Sequence, residues 1–166
     1  MSPLTSMIME MVSCLEQTLA KRSQSFPDHS LRFLFLINNS YFIWRQLSPT
    51  SVLEFHMTVL THKIDNYTET YLQLSWAPVL SCLYSSTHLL LGRYSSLAKF
   101  ESEFQKTYNT QKLWKVPDPE LRTRLRQAII ERVISGFAKY LEYSNITSTG
   151  VNPQELEEML QELFEG

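Results

Sequence analysis

Apolar side chains dominate residues 31–47, LRFLFLINNSYFIWRQL, but they do not alternate with polar ones. A β-hairpin turning at Asn38-Asn39-Ser40 would need period-two alternation, whereas residues 33–37 are all apolar. Helical spacing fits better, and it connects Leu34, Ile37, Tyr41, Trp44 and Leu47, widened by Leu31, Phe35 and Phe42. The pattern predicts one mostly buried helix, in which the two asparagine amides need hydrogen-bond partners.

The same spacing predicts helices along much of the chain. Residues 4–20 carry an apolar stripe of Leu4, Ile8, Met11, Leu15 and Leu19. Residues 52–86 continue the pattern, although Pro78 should kink or divide that helix because proline removes a backbone donor. Residues 86–96 are predicted to form a loop or short turn, and the next helix is expected from Leu97 to near Trp114.

Two helix starts have clear capping signals. Asp118 and Asn152 are natural N-caps, and each is followed by a proline suited to the first helical position. The first of these helices has a regular stripe of Leu121, Leu125, Ile129, Val133, Phe137 and Leu141. A glycine within it, Gly136, indicates close helix packing, and the last helix should turn Leu156, Met159, Leu160 and Leu163 inward. The chain is therefore predicted to be all-α, an antiparallel bundle of about six helices over a single region, residues 1–166.

Composition supports the all-α prediction and indicates the cellular compartment. The chain has 4 glycines in 166 residues, fewer than the turns of an all-β protein would need. Its two cysteines, Cys14 and Cys82, have apolar neighbours and are expected to be buried thiols in a reducing compartment. The first 22 residues lack the basic start of a signal peptide, and no apolar run approaches the ~20 residues of a membrane span. We therefore expect a cytoplasmic protein.

Charge is segregated along the chain. Residues 93–139 carry a net charge of +5 and residues 140–166 a net charge of −6. A basic strip lies on and just before the penultimate helix, and its candidate binding residues are Lys112, Lys115, Arg122, Arg126, Arg132 and Lys139. Such a strip is suited to anionic lipid or an acidic partner, but it can equally pair with the acidic last helix of the same molecule. The sequence pI of 6.1 and the lack of a known motif argue against nucleic acid.

No catalytic constellation is present. The sequence has no G-x-S-x-G, no glycine-rich phosphate loop and no H-E-x-x-H. Its four histidines are scattered, and His56 and His62 are not spaced to share one helical face. We therefore predict a protein that is not an enzyme and that needs no cofactor or metal.

Four stretches resemble one known family. They are LRFLFLINNSYFI (31–43), WAPVLSCL (76–83), FESEFQKTYNTQKLWKVPDPELRTRLRQAI (100–129) and YSNITSTGVNPQELEEMLQELFEG (143–166). In this order they resemble the C-terminal part of the plant seventy-kilodalton exocyst subunits. The resemblance implies the distal part of an elongated rod of stacked helices, with Asn38 and Asn39 inside a helix.

The resemblance also implies a function. Family members tether secretory vesicles to the plasma membrane, and they bind other exocyst subunits, small GTPases and phosphatidylinositol 4,5-bisphosphate. A peripheral location at the plasma membrane is therefore expected. The positions where animal members carry lipid-contacting lysines hold Ile130 and Ile134 here, so only the neighbouring Arg126, Arg132 and Lys139 could replace that contact. The family's N-terminal segments have no counterpart in this sequence. The alternative is therefore a truncated paralogue that acts outside the exocyst, as an adaptor or decoy for pathogen effectors in plant immunity.

Overall fold

The computed structural model describes residues 2–50, 53–84, 89–147 and 150–166, and of residues 89–95 it describes only the backbone. Seven α-helices occupy most of these ranges, and no β-strand occurs within them apart from an isolated bridge between Lys115 and Glu165. The prediction of an all-α helical bundle is confirmed. Two compact units are distinguished, Met1–Tyr71 and Leu72–Gly166, and the prediction of one single region stays a prediction.

The first unit contains α1 (Pro3–Ser23), α2 (His29–Leu47) and most of α3 (Glu54–Ser75). Ser2 caps α1 by accepting a hydrogen bond from the Thr5 backbone N–H, and Lys21 and Arg22 lie in its last turn, where cations stabilise the helix dipole. Asp28 caps α2 in the same way, through the Leu31 N–H.

Helix α2 continues unbroken through Asn38 and Asn39, as the sequence predicted. The Asn39 side chain donates from Nδ2 to the Phe35 carbonyl, 2.8 Å away and one turn back, so this amide has a local partner. The predicted stripe is largely buried, since Leu34, Ile37, Tyr41 and Leu47 all lie in the core. Phe42 was expected to widen that stripe, but it is 62% exposed.

The core of the first unit joins all three of its helices, through Val12, Ile43, Leu47, Leu53 and Leu60. Ile8 and Leu19 of the predicted α1 stripe pack against this core. Leu4, Met11 and Leu15 do not, because α1 turns a second apolar face outward that also includes Met7. The sequence thus predicted the helix correctly but mixed two of its faces, since both are apolar.

The second unit begins at Leu72, in the last turn of α3, and the predicted long helix divides just after it. Helix α3 ends at Ser75, and a short α4 (Ala77–Ser81) follows with Pro78 in its first turn, where proline is tolerated. A 3₁₀ turn, Cys82–Tyr84, continues from it. This division accounts for the difference between about six predicted helices and the seven observed in the described residues.

Helix α5 (Leu89–Gln111) corrects the predicted loop at 86–96. Residues 86–88 lie outside the described residues, but 89–96 are helical although they include Gly92 and two serines. Three consecutive leucines, strong helix formers, precede that glycine, and a helix tolerates one such residue at a cost of about 1 kcal/mol. Turn-forming composition was therefore a poor guide here.

Helices α6 (Pro119–Tyr143) and α7 (Pro153–Leu160) start at the predicted caps. Asp118 accepts from the Glu120 and Leu121 N–H groups, and Asn152 accepts from the Gln154 N–H. The buried face of α6 matches the predicted stripe except at its end, where Tyr140 is buried and Leu141 is half-buried.

Aromatic rings form the centre of the second unit. Phe100 stacks on Phe137 with ring centroids 4.7 Å apart, and Trp76 packs against Phe104 at 5.9 Å. All four side chains are fully buried. This core packs α5 against one face of α6. The charged residues of α6 therefore lie on its other faces.

The cysteine prediction was wrong about burial. Cys14 is exposed on α1, and Cys82 is partly exposed, with its thiol 3.4 Å from the Pro78 carbonyl oxygen. Neither Cys14 nor Cys82 takes part in a disulfide bond.

Candidate functional site

The six basic residues predicted to bind an anion fall into separate groups in the structure. Arg122 and Arg126 lie one turn apart at the start of α6, beside the buried Leu121 and Leu125. Lys139 lies thirteen residues after Arg126, which is about 20 Å farther along the helix axis. The sequence predicted one strip, but the helix separates its two ends.

Arg126 binds the segment that follows α7. Its guanidinium donates twice to the Leu163 carbonyl, with Nε 2.8 Å from that oxygen, and Nη2 also lies 2.7 Å from Glu165 Oε1. The Arg126 side chain is only 15% exposed. This arginine therefore holds the molecule's own chain, by charge-assisted hydrogen bonds of the stronger kind.

Arg122 and Lys115 approach the same carboxylate. Arg122 Nε lies 3.7 Å from Glu165 Oε1, and its Nη1 donates to the Val116 carbonyl at 3.2 Å. The stem of Lys115 packs against Gly166, where an added Cβ would lie 3.1 Å from the lysine Cδ. We call Lys115, Arg122 and Arg126 the cation cluster.

The cation cluster changes the acidity of Glu165. The hydrogen bond from Arg126, followed by the charge of Arg122, holds the pKa of the Glu165 carboxyl below its ordinary value of 4.5, and the charge of Lys115 adds to this. Glu165 is thus an anion that the cluster already binds.

The segment around Glu165 is anchored by apolar packing as well. Leu163 and Phe164 are fully buried, and the Val116 N–H donates to the Phe164 carbonyl at 3.2 Å. Phe164 adopts a positive φ of 69°, a conformation that bulky residues seldom adopt without support from their surroundings. The backbone here therefore has anchors other than the Glu165 side chain.

Lys112 has a different environment. Its ammonium lies 5.5 Å from the centre of the Tyr108 ring, a cation–π contact at an exposed position. The Tyr108 hydroxyl donates to Glu162 Oε2 at 3.0 Å, and burial, followed by this hydrogen bond, raises the pKa of Tyr108 above 10.0.

Arg132 and Lys139 border a cavity of about 540 Å³ in the second unit. Its wall includes Leu80, Gly136 and the carboxylate-bearing Glu131. The remaining arginine of α6, Arg124, makes an exposed ion pair with Glu120 at 2.6 Å and belongs to neither group.

These contacts partly support the interpretation that the basic strip pairs within the molecule. Arg122 and Arg126 pair with Glu165, which follows α7, whereas the sequence pointed to the acidic last helix. The Leu163 carbonyl and the Tyr108 hydroxyl were missed, because no residue spacing indicates which backbone atom a distant arginine will reach. Binding of an external anion by the six residues stays a prediction.

An ion pair between Glu16 and Lys63 joins α1 and α3 in the first unit, with His56 beside it. Glu16 accepts from Lys63 Nζ at 3.0 Å and lies 3.8 Å from His56 Nε2, with the Glu16 side chain 15% exposed. Within the described ranges, no group of three His, Cys, Asp or Glu side chains is arranged to hold a metal ion. A membrane-crossing helix, long and apolar enough for a bilayer, is likewise not found among the residues that the structure describes.

Several of the described helices are capped, they pack around apolar cores, and Arg126 binds the segment that follows α7. These features define an all-α helical-bundle protein. Residues 1–162 match the family that comprises the C-terminal part of the Exo70 exocyst complex subunit. The chain belongs to this family, as the resemblance in its sequence predicted.

The relatives in Arabidopsis thaliana are much longer than this chain. It is 29% identical to exocyst complex component EXO70A3, an alignment that covers 98% of this chain and 32% of the relative. It is 27% identical to EXO70A1, over 99% of this chain and 30% of the relative, and 24% identical to EXO70C1. The chain therefore spans about a third of the length of these relatives.

Proposed function

We propose that the chain acts as part of an exocyst-type tether, a non-enzymatic protein that helps to hold secretory vesicles at the plasma membrane before fusion. The observation that carries this proposal is the family match over residues 1–162, nearly the whole chain. Its partners in this role are other exocyst subunits and, on other surfaces, small GTPases. The proposed location is cytoplasmic and peripheral at the plasma membrane.

Co-purification from plant cells tests the tethering proposal. The tagged chain and tagged EXO70A1 are isolated in parallel under the same conditions, and we expect both to recover other exocyst subunits. If EXO70A1 recovers them and this chain does not, incorporation into the exocyst is refuted. Stable recovery of a pathogen effector in place of exocyst subunits would instead support the adaptor or decoy role.

Lipid binding is proposed for the connection between α5 and α6. Lys112 and Lys115 are exposed there, whereas Arg126 is mostly buried under the segment it holds. Exposed lysines gain about 1 kcal/mol each near an anionic membrane surface. Phosphatidylinositol 4,5-bisphosphate is the proposed lipid, because the clustered phosphates of its headgroup provide a high local negative charge.

Vesicles with graded phosphatidylinositol 4,5-bisphosphate content test the lipid proposal. Lys112→Gln with Lys115→Gln should weaken binding about thirtyfold, from ~1 kcal/mol per lysine. The matched control is Lys21→Gln with Arg22→Gln, which removes two exposed cations from α1 and should change binding little. Equal losses in the two double variants would mean that net charge, and not this surface, governs binding.

A further inference from the structure

Three cations surround one exposed carboxylate beside α6. Glu165 Oε1 lies within 2.7 Å of Arg126 and 3.7 Å of Arg122, and Lys115 packs alongside at Gly166. The Arg126 and Arg122 side chains are 15% and 21% exposed, whereas the Glu165 side chain is 60% exposed. The two arginine side chains are thus mostly buried, whereas the carboxylate that they bind is exposed to solvent.

If the Glu165 side chain rotated away from the cation cluster, the backbone of its segment would remain anchored. Leu163 and Phe164 stay buried, Arg126 keeps its bonds to the Leu163 carbonyl, and the Val116 N–H keeps its bond to Phe164. A rotation of this one exposed side chain would therefore remove the bound carboxylate from Arg122 and Arg126 without a change in the backbone. Such rotamer changes at exposed residues take place within nanoseconds.

We propose that Lys115, Arg122 and Arg126 form a binding site for a phosphate group, and that Glu165 occupies this site as an internal competitor. The inference rests on the proposed anionic-lipid binding and adds to it a site and a means of regulation. A ligand phosphate binds by displacing the Glu165 carboxylate.

The chemistry of the cluster favours this exchange. Arg126 Nη2 and Arg122 Nε, the two nitrogens that face Glu165 Oε1, can donate to phosphate oxygens instead, and the lysine adds a point charge. A phosphate monoester carries between −1.5 and −2 charges near pH 7, against −1 for the carboxylate. The internal anion is thus strong enough to close the site but weaker than the ligand that the site suits.

Glu165→Gln in the full chain tests the proposal. The amide keeps the shape and still accepts from Arg126, but it removes the competing charge. We expect about a three- to tenfold tighter binding to vesicles that contain phosphatidylinositol 4,5-bisphosphate, in line with the effect of a close charge on binding. The matched control is Glu162→Gln, which changes net charge equally, lies on the same segment and contacts Tyr108 instead.

Soluble inositol 1,4,5-trisphosphate distinguishes the two sources of phosphate. Tighter binding of Glu165→Gln to both the vesicles and the soluble ligand supports a site for the phosphate group itself. Tighter binding to vesicles alone supports a site that requires the lipid surface. Arg122→Gln, added to Glu165→Gln, should cancel the gain in either case.

Equal binding by Glu165→Gln and Glu162→Gln would overturn the internal competitor. If the two variants bound equally but the wild-type chain still bound vesicles, the proposed lipid contact would stand without the internal competitor. If neither the wild-type chain nor Glu165→Gln bound vesicles or the soluble ligand, both the inference and the lipid proposal would fail. Circular dichroism of each variant verifies that the helices are intact.

Discussion

At the scale of single residues, Arg124 and Arg126 show how two neighbouring arginines acquire different roles. Arg124 pairs with Glu120 on the surface of one helix, and its side chain is 61% exposed. Arg126 reaches from α6 to a carbonyl that is 37 positions later in the chain. Sequence alone treats both as cations on a polar face, whereas the structure makes one of them part of the scaffold.

Arg126→Ala should destabilise the chain. It leaves the Leu163 carbonyl without its charged donors, and a lost hydrogen bond to a charged group costs about 2 kcal/mol. Arg124→Ala should change the free energy of unfolding by less than about 0.5 kcal/mol, because exposed ion pairs contribute little. Urea denaturation of both variants measures the difference, and similar losses would contradict the assigned role of Arg126.

The carboxyl of Glu165 should titrate at lower pH than an ordinary glutamate. Its pKa in the folded chain is depressed from 4.5, so its stabilising contribution is present above the unfolded pKa and is lost as pH falls through the folded pKa. The window therefore lies on the acid side of 4.5. Carboxyl chemical shifts followed by NMR measure this, and Arg126→Gln should return the pKa towards its ordinary value. A pKa at or above 4.5 in the unaltered chain would contradict the contact.

Contacts between residues close in the sequence could be predicted better than contacts between distant residues. The caps Asp118 and Asn152 were predictable because their partners lie two or three positions away. The cation cluster was not, because Lys115 and Glu165 are far apart in the chain and are brought together by the packing of the helices between them. The spacing of residues in the sequence indicates local contacts such as helix caps, whereas distant contacts depend on how the helices pack.

At the scale of the helices, the close packing predicted at Gly136 is found between α4 and α6. A Cβ at this position would lie 2.9 Å from Leu80 Cδ2 and 3.1 Å from Leu80 Cδ1. Leu80 also borders the cavity near Lys139, so its side chain has space into which to move. Small residues fit this crossing and branched ones do not.

Gly136→Val should lower the free energy of unfolding by about 2 kcal/mol, because its branched side chain overlaps Leu80. Gly136→Ala should stay within about 1 kcal/mol of the unaltered chain, since the gain in helix propensity offsets a small shift of Leu80. Gly150→Ala is the control, with nothing within 4 Å of its added Cβ. Thermal and urea unfolding measure all three, and a neutral Gly136→Val would refute the close packing.

The helices themselves were predictable where spacing and caps agreed. α2 and α6 have both a regular apolar stripe and a capping aspartate, and both begin within two residues of the predicted start. α1 was predicted as a helix, but its buried face was not, because Leu4, Ile8, Met11 and Leu15 are equally apolar. Hydrophobicity indicates that a face can be buried, and the neighbouring helices determine whether it is.

At the scale of the whole molecule, burial is distributed unevenly among the helices. α6 buries Leu121, Leu125, Ile129, Val133, Phe137 and Tyr140, whereas α1 buries Thr5, Val12 and Ser23. Large, buried apolar side chains therefore hold α6 along its length, whereas the large apolar side chains that α1 packs against the core, Ile8, Met9 and Leu19, are only partly buried. Local stability follows such contacts.

Hydrogen exchange should reflect this difference. We expect slow amide exchange in the middle turns of α6 and faster exchange in the first turns of α1, because few buried apolar contacts oppose local opening there. Exchange followed by mass spectrometry on the unaltered chain measures it. Equal protection of the two helices would show that something other than side-chain burial stabilises α1.

The exposed apolar face of α1 also carries a chemical handle. Cys14 is an accessible free thiol on that face, near Met7 and Met11 on the helical wheel. A maleimide fluorophore sensitive to polarity, attached there, would shift its emission to the blue whenever a molecule covers the face. Fluorescence can thus be used to screen for whatever binds α1, with Cys82→Ser as the only substitution needed for single-site labelling.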